Sequence, residues 1–299
     1  MRILLQFPEG LKQIALGEAK KLEKQGHDVF ISGSPCYGAC DLALDEARWI
    51  KADKIIHFGH SKFAEFETWG IKVEYNHYPV TAKLDSIKKA LKSELKDYKK
   101  IGLATTVQHL HQLKEIKKIL EAAGKQVFVG KGGHLQEEGQ VLGCDAGAIK
   151  SIDSKVDAIL YFGAGLFHPL GMDTAKPLLQ VNPYSGKITW LTAEIEKELR
   201  RRKGALLKAS EANSFAILVS TKPGQFNIVA AESCKKKLEA KNRSAAIIVC
   251  NELSSLSLQN FLKFDAYIST ACPRLQDDSE LFQKPVINWT ELGKLLELL

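Results

Sequence analysis

No apolar run in this 299-residue chain approaches the ~20 residues of a membrane-spanning helix. The N-terminal run Met1 to Phe7 is cut off by Pro8-Glu9-Gly10 and is too short for the apolar core of a secretory signal. Both absences point to a cytoplasmic chain with no membrane partner. Cysteine is sparse, six in 299, so the chain does not carry the dense disulfide framework of a small secreted domain. Thiols in loops are therefore candidates for metal binding or catalysis. Arginine–aromatic clusters and zinc-finger spacings are missing, and a net charge of +7 is mild, so direct nucleic-acid binding is not expected. The densest basic piece, Lys197-Glu198-Leu199-Arg200-Arg201-Arg202-Lys203, reads as a solvated helix face, and next as a docking face for an acidic protein. What the chain does have is 45% apolar and 26% charged residues, enough to fill substantial cores.

Those apolar residues recur in the same order three times. In the first pass Ile3 to Phe7 is a strand, Leu11 to Lys24 a helix stopped by Gly26, and Val29 to Ile31 a second strand. An amphipathic segment follows from Leu42 to Ile50, then strands at Lys54 to Phe58 and Lys72 to Tyr75, the last ending at Asn76. The second pass has strands at Ile101 to Ala104, Val127 to Val129, Ala158 to Phe162 and Leu178 to Val181, with a helix from Gln108 to Ala123 stopped by Gly124. The third has strands at Phe215 to Val219, Ala245 to Val249, Ala266 to Ser269 and Pro285 to Ile287, with a helix from Ile228 to Glu239. Asn76, Asn182 and Asn288 close the fourth strand of each pass, and both intervals are 106 residues (182 − 76 and 288 − 182). Equal periods with one element order imply triplication of a small βαβ unit with a mainly parallel sheet. The expected fold is α/β, with three similar domains at 1–97, 98–209 and 210–299. The boundaries are the charged stretch Ser93 to Lys100 and a long helical segment, Thr192 to Ala209, that links domain 2 to domain 3.

Ligands of parallel α/β sheets gather at the carboxyl ends of the strands, and that is where four of the six cysteines fall. Cys36 and Cys40 lie in Ser34-Pro35-Cys36-Tyr37-Gly38-Ala39-Cys40-Asp41, between a strand and a helix, where backbone N–H groups favour the thiolate. Cys144, in Gln140-Val141-Leu142-Gly143-Cys144-Asp145, follows strand two of the second unit. Cys272, in Ser269-Thr270-Ala271-Cys272-Pro273-Arg274-Leu275, follows strand three of the third. Cys234 and Cys250 fall inside a helix and at a strand end and read as packing residues. One loop cysteine per domain could converge on a central site. Three thiolates suit a [4Fe–4S] cluster with one open iron, or zinc with one open position, and spacing does not decide between them. The Cys-x3-Cys-x2-Cys signature is incomplete, because Ala43 stands where its third cysteine would be.

Each first strand ends in a polar turn: Pro8-Glu9-Gly10, Thr105-Thr106-Val107-Gln108-His109, and Ser220-Thr221-Lys222-Pro223-Gly224-Gln225. Such groups suit a carboxylate, an amine or a ribose, and ordinary helix capping would use them equally well. Arg274, beside Cys272, could pair with a carboxylate or form a surface ion pair. Phe162-Gly163-Ala164-Gly165-Leu166-Phe167-His168 fails as a dinucleotide loop, since His168 occupies the last glycine position. His57, His60, His77 and His134 have no paired metal spacing and read as satisfied or exposed side chains.

Four stretches, Gln6-Phe7-Pro8-Glu9-Gly10-Leu11, Tyr37-Gly38-Ala39-Cys40-Asp41, Val141-Leu142-Gly143-Cys144 and Ala271-Cys272-Pro273-Arg274-Leu275, resemble the archaeal diphthamide biosynthesis family, 2-(3-amino-3-carboxypropyl)histidine synthase. The likeness covers nearly the whole chain. It implies three domains around a pseudo-threefold axis, with Cys40, Cys144 and Cys272 holding a [4Fe–4S] cluster at a shared central site, and Cys36 at a position that is not generally a ligand. It implies transfer of a 3-amino-3-carboxypropyl group from S-adenosylmethionine (SAM) to a histidine carbon of elongation factor 2, by a homodimer that needs an electron donor. For SAM, the strand-end residues Glu9, Thr105, Thr106, Ser220, Gln225 and Arg274 are the expected contacts. Quinolinate synthase shares the plan of three related domains and one cluster, but the stretches around Cys40 and Cys272 favour the diphthamide family. A non-catalytic electron-carrying subunit is the alternative of another class; three intact cysteines in one chain favour a self-sufficient enzyme.

Overall fold

A computed structural model describes residues 1–135, 137–278 and 282–299. The strands are β1 (Arg2–Gln6), β2 (Asp28–Ile31), β3 (Lys54–Phe58), β4 (Lys72–Asn76), β5 (Lys100–Thr105), β6 (Gln126–Phe128), β7 (Ala158–Phe162), β8 (Leu178–Val181), β9 (Ile188–Trp190), β10 (Ser214–Ser220), β11 (Ser244–Cys250), β12 (Ala266–Ser269) and β13 (Val286–Asn288). They form three sheets with the orders β2-β1-β3-β4, β6-β5-β7-β8-β9 and β11-β10-β12-β13. The order is the same each time, and every pairing is parallel except β8 with β9. The three α/β domains expected from the repeat are present. Strand β9, unforeseen in the sequence, is an antiparallel addition to the second sheet.

Alternation within a strand sorts side chains onto two faces. In the first sheet Leu4 and Ile55 pack with Leu44 and Ala47 of helix α2 (Leu44–Trp49), while Ile3, Leu5, Ile56 and Phe58 pack with Ala15 and Ala19 of helix α1 (Ala15–Glu23). Central strands are covered on both faces and so read as unbroken apolar runs: all five residues of β7 are buried. Helix α1 is preceded by a 3-10 helix, Glu9–Ile14, and helix α4 (Leu113–Ala122) by another, Val107–Gln112; α5 (Gly147–Lys150) is a single turn.

The repeat extends to polar details. Asp53, Asp157 and Asp265 precede the third strand of each sheet, and each carboxylate accepts backbone N–H groups at the start of the first strand, from Arg2, from Lys99 and Lys100, and from Asn213 and Ser214. The periodic asparagines also share one job. Asn76, Asn182 and Asn288 each accept the N–H two residues on, from Tyr78, Tyr184 and Thr290, which turns the chain off the fourth strand. The stop after each first helix is a residue at positive φ: Gly26 (81°), Gly124 (79°) and, in the third copy, Asn242 (58°).

Packing moves two sequence-drawn boundaries. Helix α3 (Asp85–Lys92), placed in domain 1 by its position, buries Ile87 and Ala90 together with Leu84 and Leu95 in the core of the second sheet. Helix α6 (Thr192–Ser210), placed with domain 2, packs Ala205, Leu206 and Ala209 into the core of the third sheet. The chain accordingly divides into compact units Met1–Thr192 and Ala193–Leu299.

Candidate functional site

The loop after β2 carries Cys36 and Cys40, and the end of β1 holds it in place. Buried Gln6 donates through Nε2 to the Asp41 carbonyl (2.6 Å), and its Oε1 accepts the Ala43 N–H (3.1 Å). The Asp41 carboxylate accepts the Tyr37 N–H (3.3 Å), and the Asp41 N–H donates to the Gly38 carbonyl (3.0 Å). Lys12 donates to the carbonyls of Gly33 (3.2 Å) and Ser34 (2.9 Å) at the start of the loop. Cys40 is thereby set in a fixed turn and half-buried, whereas Cys36 is buried.

Cys144 sits at the tip of a tight turn closed by reciprocal bonds between Leu142 and Asp145 (2.8 and 3.3 Å). The preceding segment is tied to the end of β5, where Val141 N–H donates to the Thr105 carbonyl (3.0 Å). The buried Asp145 carboxylate accepts the N–H groups of His134 (2.6 Å) and Gly147 (2.9 Å). A Cβ at Gly143 would lie 2.5 Å from the Phe167 ring, which would have to move to admit it. Cys144 itself is exposed. Within the first unit the carboxyl-end loops of the first two sheets meet: Ser61 Oγ donates to Gln140 Oε1 (3.1 Å), and Gln108 Nε2 to the Gly59 carbonyl (2.7 Å).

In the second unit Cys272 follows β12 and is half-buried. Thr270 anchors the turn by donating both its N–H and its hydroxyl to the Leu218 carbonyl, each at 3.0 Å. Pro273 then opens a 3-10 helix, Pro273–Asp278. Arg274 is buried and forms an ion pair with Asp277. Asp277 also accepts from Arg202 Nη2 (2.9 Å) and Nε (3.1 Å), while Glu198 accepts from Arg201 (2.9 Å). Burial and the hydrogen bond with Glu198 raise the Asp277 carboxyl to about 6. Burial lowers the pKa of the Arg274 guanidinium, Asp277 opposes that shift, and Cys272 lies close enough to act on the same charge. The basic stretch of α6 is therefore not a wholly solvated face: Arg201 and Arg202 turn inward onto the Cys272 turn.

Of the residues expected to meet SAM, all but Arg274 stand at or just after the end of the first strand of a sheet. Glu9 is exposed and paired with Lys12 (2.7 Å). Thr105 is fully buried, and its hydroxyl is committed to the Phe162 carbonyl (2.5 Å). Thr106 stands at the N-cap of a 3-10 helix, yet its side chain makes no capping bond there. Ser220 is buried, donates to the Asn251 carbonyl (3.2 Å) and accepts the Lys222 N–H (3.2 Å). Gln225 is half-buried, and its N–H donates to the Lys222 carbonyl (2.9 Å). Lys222, passed over in the sequence, is a buried cation paired with Glu252 (3.2 Å).

Two histidines dismissed from the sequence prove to be neighbours. His57 Nε2 lies 2.9 Å from His60 Nδ1, and Cys36 joins them, the three ligand-type atoms falling within 4.8 Å of one another. Spacing could not reveal this, because β3 and the loop after β2 meet only in the folded sheet.

Each sheet thus presents a thiol in a strand-end turn, and thiolate sulfur is the donor type that iron–sulfur clusters take. Residues 7–298 match the profile of the family described as "Putative diphthamide synthesis protein". The chain is 37% identical to 2-(3-amino-3-carboxypropyl)histidine synthase of Pyrococcus horikoshii, over 99% of this chain and 86% of that protein. It is 29% identical to subunit 1 of the synthase from Schizosaccharomyces pombe, over 93% of this chain and 65% of that longer protein. The crystal structure of Dph2 from Pyrococcus horikoshii superposes with a TM-score of 0.89 at 35% identity, covering 100% of this chain and 86% of the other. The structure of Dph2 with a 4Fe-4S cluster superposes with a TM-score of 0.86 at the same identity and coverage. On its triplicated sheets, its strand-end cysteines and these likenesses, the chain belongs to the diphthamide synthesis family.

Proposed function

We propose that this chain carries out the first step of diphthamide synthesis, moving the 3-amino-3-carboxypropyl group of SAM to an imidazole carbon of one histidine in elongation factor 2. The single observation that carries the reading is the placement of Cys40, Cys144 and Cys272, one in a strand-end turn of each sheet, in the stretches that resemble the family. These three residues would hold a [4Fe–4S] cluster. When bound, such a cluster with one open iron supplies a coordination site for SAM and one electron for breaking a C–S bond.

The protein's own part is to position and to exclude. The Gln6 and Asp145 clasps fix the turns of Cys40 and Cys144, and the Arg274–Asp277–Arg202 network fixes the turn of Cys272. The loops beginning at Glu9, at Thr105 and Thr106, and at Ser220 through Gln225 are the proposed surroundings of SAM, with Arg274 on the Cys272 turn. Because the hydroxyls of Thr105 and Ser220 already serve the fold, backbone groups and Thr106 are the better candidates for direct contact. Positioning selects which of the sulfonium's three C–S bonds is broken. Transfer releases methylthioadenosine and a proton from the imidazole carbon. We further propose that the chain acts as a cytoplasmic homodimer served by a separate electron donor; among the described residues no helix is long and apolar enough to cross a membrane.

The test is product analysis. Anaerobic protein with dithionite, SAM and elongation factor 2 should yield methylthioadenosine and a modified histidine in equal amounts. Methionine and 5′-deoxyadenosine as the main products would overturn the reading.

A further inference from the structure

Cys36 is the one loop cysteine that the cluster reading leaves without a role, and its surroundings are those of a second metal site. It lies 4% exposed against His57, which is fully buried on β3, and His60, which follows the β3 turn at Gly59 (φ 77°). The sulfur and one ring nitrogen from each histidine lie within 4.8 Å of one another. A tetrahedral ion at ~2.0–2.1 Å from nitrogen and ~2.3 Å from sulfur needs its ligands roughly 3.3–3.6 Å apart, which small side-chain rotations would reach.

The hydrogen bonds around His57 set it up as a ligand. Gln6 cannot flip its amide, since Nε2 donates to the Asp41 carbonyl and Oε1 accepts the Ala43 N–H. That oxygen also faces His57 Nδ1 at 2.8 Å, so Nδ1 must carry the proton and Nε2 must present a lone pair. An acceptor that fixes the far nitrogen of a buried histidine is the usual outer support of a metal-binding imidazole. The lone pair points at His60 Nδ1, 2.9 Å away. Without an ion the proton on His60 Nδ1 bridges the two rings; an ion would take its place, and that proton would pass to His60 Nε2, leaving both imidazoles neutral.

We propose that Cys36, His57 and His60 bind one divalent ion of the zinc class, with a fourth position open. One thiol and two neutral imidazoles are a borderline-soft set that suits Zn²⁺ better than Mg²⁺ or Ca²⁺. Burial keeps both rings neutral, His57 down to about 3 and His60 to about 4, so neither needs to shed a proton in order to bind. Burial also pushes the Cys36 thiol up to about 12, so binding exchanges the thiol proton for the metal–sulfur bond and releases it to solvent. His168, in the loop after β7, adds to the lowering at His60. The ion ties the loop of Cys40 to β3, four residues before Cys40 itself.

The experiment counts two metals in one sample and does not depend on turnover. Anaerobically purified protein is equilibrated with Zn²⁺ against a micromolar chelating buffer, desalted, and assayed for zinc and iron. One zinc per chain is expected beside the iron, with an X-ray absorption spectrum showing one sulfur and two or more nitrogen or oxygen neighbours. Cys36→Ser and His60→Gln should each weaken zinc binding at least tenfold and leave the iron count unchanged, and Gln6→Leu should weaken it 10–100-fold through the support it removes. Zinc retained with no sulfur neighbour, or not retained at all, would overturn the proposal. So would loss of iron from Cys36→Ser, which would make Cys36 a cluster ligand; a failure of zinc binding with the iron intact leaves the transferase reading standing.

Discussion

The turns that carry Cys144 and Cys272 follow strands of equivalent sheets and present one thiol each, yet they are held by different chemistry. The Cys144 turn is held by a carboxylate on backbone amides, Asp145 accepting from His134 and Gly147. The Cys272 turn is held by ion pairs, with Asp277 between Arg202 and Arg274. Triplication therefore determined where a cysteine can stand, at the carboxyl end of a parallel sheet, and left each copy to find its own fastening. The consequence is that the two turns should fail differently when they are perturbed.

The largest effect should come where the two turns are alike. Cys144→Ala and Cys272→Ala, with Cys40→Ala, should each remove or destabilise the iron site, falling from about four irons per chain toward none. Cys234→Ala, in the core of the third sheet, should keep its iron and lose only stability, and Cys250→Ala should keep its iron too. Iron analysis of the five variants decides whether loop and core cysteines divide in this way.

The next effect separates the turns. Asp277→Ala leaves the buried Arg274 without the carboxylate it pairs with, while Arg202 keeps Glu198, and should cost about 3–5 kcal/mol in urea unfolding. A cost below about 1 kcal/mol would mean that the network is ornamental. Asp145→Asn keeps one acceptor oxygen in the Cys144 turn and should cost only about 1–2 kcal/mol. An equal loss in the two variants would erase the distinction drawn between the turns.

The Cys40 turn supplies an intermediate case, with a pH signature of its own. Gln6, which clasps it, also bonds His57, and burial holds His57 and His60 neutral down to about 3 and about 4. Below the ordinary histidine value of about 6.5 the unfolded chain takes up protons that the folded one refuses, so stability falls as pH drops from there toward 4. Each histidine should contribute a loss approaching 1.4 kcal/mol per pH unit. Unfolding at pH 7.5 and 5.5 for wild type and His60→Gln measures one histidine's share; an unchanged pH dependence in the variant would refute the assignment.

Much of this architecture was legible in the sequence, for reasons that the particular residues make plain. Apolar runs such as Ala158–Phe162 announced central strands because those strands are covered on both faces. The 106-residue interval of Asn76, Asn182 and Asn288 survived because each side chain caps the same turn. That Cys40, Cys144 and Cys272 would lie in turns after strands was legible because the apolar runs before them mark those strands. What stayed hidden depends on contacts between distant segments. Nothing local shows that Arg201 and Arg202 reach Asp277, 75 residues or more away, or that α3 belongs to the core of the second sheet. The Cys36–His57–His60 group escaped notice because its members come from separate strand ends, where ligand spacing follows no rule.

The central claim is that three cysteines serve four irons, which leaves one iron open to SAM. Mössbauer spectra of protein loaded anaerobically with ⁵⁷Fe, recorded with and without SAM, test it most directly. The account predicts about four irons per chain, with the signal of one in four shifting when SAM is added. A chain that takes up only traces of iron, or four irons that are all unmoved by SAM, would contradict it.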